Sequence, residues 1–517
     1  MAWYNEAIFY HIYPLGLFNC PRENNYQYTE SRINECYKWI DHIRDYGFNA
    51  LYIGPLFESV GHGYETTDYK KLDSRLGTND DLKNLVNYCH NNGIKVIFDG
   101  VFNHVGRDFF AFKDLKERKW DSKYKDWFLN VNFNNNNEYN DGFSYDNWGG
   151  YNLLVKLNYY NQDVKNYILD VVRFWIEEFD LDGIRLDAAD VLSFEFMRDL
   201  RGLCNSLKPD FWLMGEVIHG DYTRWANNDM LDSVTNYSLH KAIYSGMNTN
   251  NFFEIAHTVK RNLNMGLFYL YNFLDNHDVE RIYTKLDNKN YFIPVNVMLY
   301  TLPGIPSIYY GSEFGIEGKK ERGSDYSLRP YLNLDDFKNN KYEELFKRLN
   351  KIKNDSKILS YGKYNELVLK NKVFAYERVL DNNQIIIVVS NDDNDNVITI
   401  NNPYHNKYVG ILYGDTINKE YDKININVKA YSAEIYVSDG YDNVKALDIK
   451  IENNKKVEVK ERVDIPNKPL EEMNIDELHQ VILDKMAKNG NVTEYMKKTV
   501  YDNNHKPSLI NWAKSFR

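Results

Sequence analysis

Short apolar runs separated by helix-length amphipathic segments recur through the first two thirds of the 517-residue chain, and this rhythm restricts the fold more than any other feature. Eight runs read as strands: residues 7–13, 50–57, 95–102, 183–188, 211–217, 233–237, 267–274 and 305–310. Between the first two, residues 29–46 place Ile33, Tyr37, Ile40 and Ile43 at helical spacing and stop at Gly47, a residue suited to a left-handed C-terminal cap. Residues 79–92 repeat the pattern with Leu82, Leu85, Val86 and Cys89 before Gly93, and residues 162–178 carry Val164, Ile168, Val171 and Trp175 on one face. Eight strands alternating with helices predict an α/β fold, a closed (β/α)8 TIM barrel; an open doubly wound sheet with one edge strand miscounted is the competing arrangement.

Two stretches break the rhythm. Residues 105–155 are polar, aromatic and rich in asparagine, including Asn134 to Asn137, and read as a subdomain inserted after the third strand. Beyond a last barrel helix over residues 342–352, alternating strands and hairpin signals (residues 373–380, a turn Asp381-Asn382-Asn383, then 384–390) predict a C-terminal β-sandwich ending near Val437. The expected organisation is thus a barrel from residues 1–104 and 156–356, an inserted subdomain over 105–155, a sandwich over 357–439 and an appendage over 440–517. In the appendage, Asn474 as N-cap with Glu477 three residues on opens a helix striped by Leu478, Ile482 and Leu483 and ended by Gly490.

Lys and Arg number 63 against 74 Asp and Glu, a net charge of −11, so neither nucleic acid nor an anionic membrane is an expected partner. Cys20, Cys36, Cys89 and Cys204 lie far apart, without the spacing of a metal site or a disulfide framework. The N-terminal residues lack a basic segment followed by a long apolar one, and no run approaches about 18 apolar residues, so the expected location is the cytoplasm. Most of the 43 Tyr, 27 Phe and 9 Trp serve as core and interface fillers, while some suit a surface that stacks on sugar rings.

In such a barrel the reactive groups come from the C-terminal ends of the strands. The third strand ends Asp99-Gly-Val-Phe-Asn103-His104, the fourth contains Arg185-Leu-Asp187, the fifth ends Gly215-Glu216-Val217 and the seventh ends Asp275-Asn276-His277-Asp278. Any one of these acids is most simply a helix cap or a structural ion pair; their coincidence at the ends of different strands favours chemistry. Alternation places Arg185 and Asp187 on one side of their strand, where the cation is expected to keep Asp187 ionised as a nucleophile requires. Glu216 follows Trp212, Leu213 and Met214, an apolar setting expected to raise its pKa toward that of a general acid, and the pair fits glycoside hydrolysis.

Over residues 1–440 the chain resembles the α-amylase family, glycoside hydrolase family 13. Asp99 to His104, Gly183 to Asp187, Gly215 to Val217 and Phe273 to Asp278 are similar, in that order, to four conserved regions of the family. The resemblance implies Asp187 as nucleophile, Glu216 as general acid/base and Asp278 as the third acid, with Arg185 orienting Asp187. It further implies that His104 and His277 hydrogen-bond the sugar at the cleavage point and that Tyr64 stacks beneath it. Residues 154–158, Leu-Val-Lys-Leu-Asn, are similar to a fifth region in the neopullulanase and maltogenic amylase group, with Val155 where proline is usual. Those relatives dimerise through an N-terminal β-domain, whereas here the barrel begins almost at Met1, so dimerisation by that route is not expected. Asn103 matches a calcium ligand of many members, but Val191 stands where they supply a histidine, and no obligatory metal or other cofactor is expected.

The implied function is retaining hydrolysis of α-1,4 and some α-1,6 bonds in maltooligosaccharides or related α-glucans. An α-glucanotransferase of the same family and a catalytically inactive barrel serving as a binding module are the alternatives; the intact acid set argues against the latter.

Overall fold

A computed structural model of the chain describes residues 2–438, 444–449, 469–473, 475–488, 500 and 505–515. Eight parallel strands form one sheet: β1 (Phe9–Ile12), β2 (Ala50–Ile53), β3 (Lys95–Gly100), β4 (Gly183–Leu186), β5 (Trp212–Gly215), β6 (Ser233–Val234), β7 (Tyr271–Phe273) and β8 (Ile305–Tyr309). Their order is β6-β5-β4-β3-β2-β1-β8-β7, and Thr235 pairs with Tyr271 across the remaining seam, which closes the barrel and disposes of the open-sheet alternative. Each strand is shorter than its apolar run, because burial extends past the paired residues. Leu267 and Leu270, for example, are buried on the approach to β7 without belonging to it.

Period-two alternation divides the side chains between two cores. On β1, Tyr10 and Ile12 pack toward the helices, while Phe9 points into the barrel and stacks on Trp212 with ring centroids 4.9 Å apart. Ala50, Ile97, Met214, Phe273 and Ile305 belong to the same interior cluster. One step further along the strands the interior becomes polar: His11 stacks on Tyr52 at 4.0 Å, and Tyr52 donates to Asp99 at 2.9 Å. The helices between strands follow their signals. Gly47, at φ +87°, stops Cys36–Tyr46, and Thr78 opens Asn79–Asn91 with a capping box completed by Asp81.

Between β3 and β4 the chain leaves the barrel as the helix Phe110–Arg118 and a three-stranded antiparallel sheet, His104–Gly106, Tyr151–Lys156 and Asn147–Trp148, with Tyr151–Lys156 in the middle. After the helices Glu343–Asp355 and Lys357–Tyr361, a six-stranded antiparallel sheet and a two-stranded one share a core that includes Ala375, Ile386, Val388, Ile398 and Ile426. The alternate residues Phe374, Tyr376, Ile385 and Ile387 join the core of the barrel helices instead, so the sandwich and barrel are packed together. Leu380 pairs with Asn383, which makes the hairpin loop the two residues Asp381 and Asn382, one fewer than the sequence suggests; Asp381 takes the left-handed conformation (φ +53°) that so tight a loop requires.

The chain divides into two units, Met1–Ile451 and Glu452–Arg517. In the second, Leu478, Ile482, Leu509 and Ala513 of the helices Ile475–Lys488 and Lys506–Ser515 form one buried cluster, while the expected cap Asn474 and stop Gly490 lie outside the described residues. Among the described residues no helix is long and apolar enough to cross a membrane.

Candidate active site

The register of β3, β4 and β5 brings three carboxylates to one guanidinium. Asp99 is the strand partner of Arg185, Asp187 N–H donates to Gly100 O at 3.0 Å, and Glu216 N–H donates to Leu186 O at 2.9 Å. Arg185 Nη1 consequently lies 2.7 Å from Asp99 Oδ1 and 2.8 Å from Asp187 Oδ1, and its Nη2 lies 2.9 Å from Glu216 Oε2. The approach of Asp99 needs the glycine at position 54, where a Cβ would stand 2.4 Å from that of Asp99. Ala188 adopts φ +46°, a left-handed conformation costing an L-residue about 1–2 kcal/mol, and its N–H is thereby aimed at Glu216 Oε2, 3.1 Å away.

A second cluster forms where β7 ends. His277 Nε2 is 3.0 Å from Asp278 Oδ2 and also hydrogen-bonds the Tyr64 hydroxyl, which sits 3.0 Å from Asp99 Oδ2 and so links the two clusters. The Tyr64 and His277 rings lie 9° from parallel with centroids 5.5 Å apart. Both clusters open onto a cleft of about 1670 Å3, lined by Tyr64, His104, Asp187, Glu216 and Asp278. Arg185 and His277 stand behind these, 3% and 1% exposed. The insert supplies the wall beside His104 through Trp148, whose ring centroid is 5.8 Å from the imidazole, and Tyr151. His104 is held neutral, its pKa driven down to about 3 by burial, and its Nε2 has no protein partner.

Two electrostatic expectations are corrected. Arg185 was expected to keep the Asp187 pKa low, but burial is the largest influence and, with repulsion from Glu216, pushes the carboxyl well above its ordinary value against the pull of Arg185. Glu216 was expected in an apolar setting; it is ion-paired instead, because Trp212 and Met214 point into the barrel floor and Leu213 toward the helices. Asp99, Asp187 and Glu216 thus share a single cation. Asp278 behaves oppositely: burial alone would raise it, but His277 and Arg329 prevail and hold it well below the usual carboxylate range.

Sequence reasoning missed Arg329, whose Nη2 lies 2.9 Å from Asp278 Oδ1 and whose guanidinium carbon sits 4.7 Å from the Tyr13 ring centroid. It also missed Tyr237, whose hydroxyl is 3.4 Å from Glu216 Oε1. Arg329 lies in a loop with no motif around it, whereas Tyr237 stands just beyond β6, a strand end from which no residue was taken. A calcium shell does not fit the residues at Asn103 and Val191. The Asn103 amide nitrogen faces His104 Nδ1 at 3.1 Å and Val191 offers only an isopropyl group; among the described residues no three His, Cys, Asp or Glu converge as metal ligands.

Two acids gathered on one cation, a third held ionised across an aromatic cleft, and a neutral histidine with a free ring nitrogen suit the breaking of an acetal bond between sugars, the work of a glycoside hydrolase. A description of the alpha-amylase catalytic domain matches residues 36–395. A cyclomaltodextrinase of Thermoanaerobacter pseudethanolicus is 34% identical over 379 residues, 70% of this chain and 64% of that protein. A maltogenic alpha-amylase of Bacillus acidopullulyticus is 31% identical over 422 residues, 76% of this chain and 70% of that one. The solved structure of a cyclomaltodextrinase superposes with a TM-score of 0.75 at 28% identity, covering 84% of this chain and 78% of its own. The chain belongs to the alpha-amylase family of glycoside hydrolases.

Proposed function

We propose that the protein hydrolyses α-glucosidic bonds of maltooligosaccharides and related α-glucans by double displacement. Glu216 gives its proton to the glycosidic oxygen while the Asp187 carboxylate attacks the anomeric carbon; the C–O bond breaks, the leaving sugar departs with its hydroxyl, and a glycosyl ester remains on Asp187. Glu216, now a carboxylate, takes a proton from water, whose oxygen displaces Asp187 and restores the α-configuration. Asp278, ionised, accepts hydrogen bonds from sugar hydroxyls and faces the positive charge that develops on the ring; His104 serves the same sugar, His277 holds Asp278 and Tyr64 from behind, and Tyr64 lies against the sugar's face. The observation that carries this reading is the Arg185 guanidinium, which holds Asp187 and Glu216 on adjacent nitrogens at the mouth of the barrel.

We further infer that calcium is not required and that the protein works in the cytoplasm, a reading supported by four cysteines that are all free thiols. Incubation with maltoheptaose and chromatography of the products tests the activity. Shorter sugars are expected; accumulation of longer ones identifies a transferase, in which a sugar hydroxyl replaces water in the second step, and an unconsumed substrate identifies an inactive barrel.

A further inference from the structure

A second cavity, of about 760 Å3, lies at the opposite mouth of the barrel. Its walls include Tyr269 and Pro303, which precede β7 and β8, whereas Asp187 and Glu216 follow β4 and β5. The wall also includes Phe268, the end of the helix Phe252–Asn264, the end of the helix Lys357–Tyr361, and the sandwich strands Lys363–Leu369 and Val373–Leu380. Nothing in the proposed reaction uses this cavity.

The charge of the cavity wall is anomalous in a chain of net charge −11. Lys260, Lys363 and Arg378 line it against the single acid Glu366. Arg378 is 3% exposed, yet its N–H groups go only to carbonyls: Nε and Nη2 to Gly362 O at 3.2 and 2.9 Å, and Nη1 to Thr301 O at 2.9 Å. These account for hydrogen bonds but supply partial charges only, and the cation's pKa is driven down to about 10 by burial, with no carboxylate acting on it. Lys353, 2% exposed and bonded to Leu359 O at 3.1 Å, lies outside the wall; burial and then repulsion from Arg378, against the pull of Glu6, bring it to about 7. Two hydroxyls of the same wall, Ser360 Oγ and Tyr364 Oη, are buried without a hydrogen-bond partner, and Ser360 as a whole is 7% exposed. Buried hydroxyls without a protein partner take one from a water, an ion or a ligand. Phe268, 53% exposed, lines the same cavity.

We propose that this cavity binds a phosphorylated sugar, its phosphate neutralising Arg378, Lys260 and Lys363, its hydroxyls meeting Ser360 and Tyr364, and its ring lying against Phe268. Titration calorimetry on the full chain tests this with glucose 6-phosphate, glucose and inorganic phosphate as separate probes. Glucose 6-phosphate binds once per chain, with an affinity that falls as salt is added; glucose gives no heat at this site, and phosphate binds more weakly than the ester. The Lys260→Gln/Lys363→Gln variant changes exposed residues only, keeps the wild-type melting temperature and maltoheptaose activity, and binds the ester about tenfold or more weakly. Ser360→Ala weakens it as well. Absence of binding by the ester, equal binding of glucose, equal affinity for inorganic phosphate, or an affinity unchanged in the double lysine variant would each overturn the proposal.

Discussion

Replacing Arg185 with methionine removes the cation that Asp99, Asp187 and Glu216 share at 2.7, 2.8 and 2.9 Å, while the unbranched thioether fills much of the space its stem leaves. Removing one partner of a buried ion pair costs about 3–5 kcal/mol, because the remaining charge is uncompensated, and here three carboxylates remain. They escape the penalty only by taking up protons. In the intact protein burial already lifts Asp187, with Arg185 as the counterweight, so the substitution raises its folded-state pKa further. A carboxyl whose folded pKa lies above the unfolded value of about 3.9 contributes stability that is fully present below that value and is lost as pH rises through the folded pKa. The deficit relative to the parent is therefore largest near neutrality and shrinks as the pH approaches about 4.5. Denaturant unfolding of both proteins, followed by tryptophan fluorescence across that range, measures it, and Asp99→Asn added to the variant recovers part of the loss at neutral pH. A deficit equal at every pH, or none at all, would refute the shared-cation argument.

Asp187→Asn and Glu216→Gln each lower kcat on maltooligosaccharides by about a hundredfold or more with the melting temperature retained, and azide partly restores Glu216→Ala; near-parental kcat in either amide variant sinks the role assignments. Proton NMR early in hydrolysis shows the α-anomer at the new reducing end, whereas a β-anomer appearing first contradicts double displacement. Prolonged chelation leaves activity and melting temperature unchanged; a bound ion at a hundredfold excess over its Kd contributes about 2.7 kcal/mol, so a calcium-reversible drop is easily seen and counts against the absence of a metal requirement. Trp148→Ala, at the cleft wall beside His104, raises KM about two- to tenfold with kcat kept; a pure kcat effect places the ring elsewhere in the reaction.

The barrel was legible because its strands are buried on both faces and its helices on one, two patterns that composition cannot blur. Strand ends were not, since Leu267 and Leu270 are as apolar as the paired residues that follow them. The carboxylates were legible because each stands directly beyond a strand, where the chain itself fixes their placement. Their charge states were not, for a reason that Glu216 illustrates: Trp212, Leu213 and Met214 are its neighbours along the chain, but alternation turns them to other cores, and its neighbour in space is Arg185. Arg329 makes the same point from the other side, since 51 residues separate it from the Asp278 it pairs with.

Asp99 explains why so costly a cluster persists. It is 2% exposed and never faces the cleft, but it anchors Arg185, accepts from Tyr52 and Tyr64, and through Tyr64 reaches the His277–Asp278 pair. A rigid barrel thus fixes one buried carboxylate, and that carboxylate fixes the cation on whose adjacent nitrogens Asp187 and Glu216 sit. Two carboxyl groups tied to one planar group are kept close, which supports the separation of about 5–5.5 Å used in double displacement over the roughly 6.5–9.5 Å that leaves room for an inverting water. Stereochemistry in this protein would then be set from beneath the site, by the register of β3 against β4, rather than by the residues that touch the sugar.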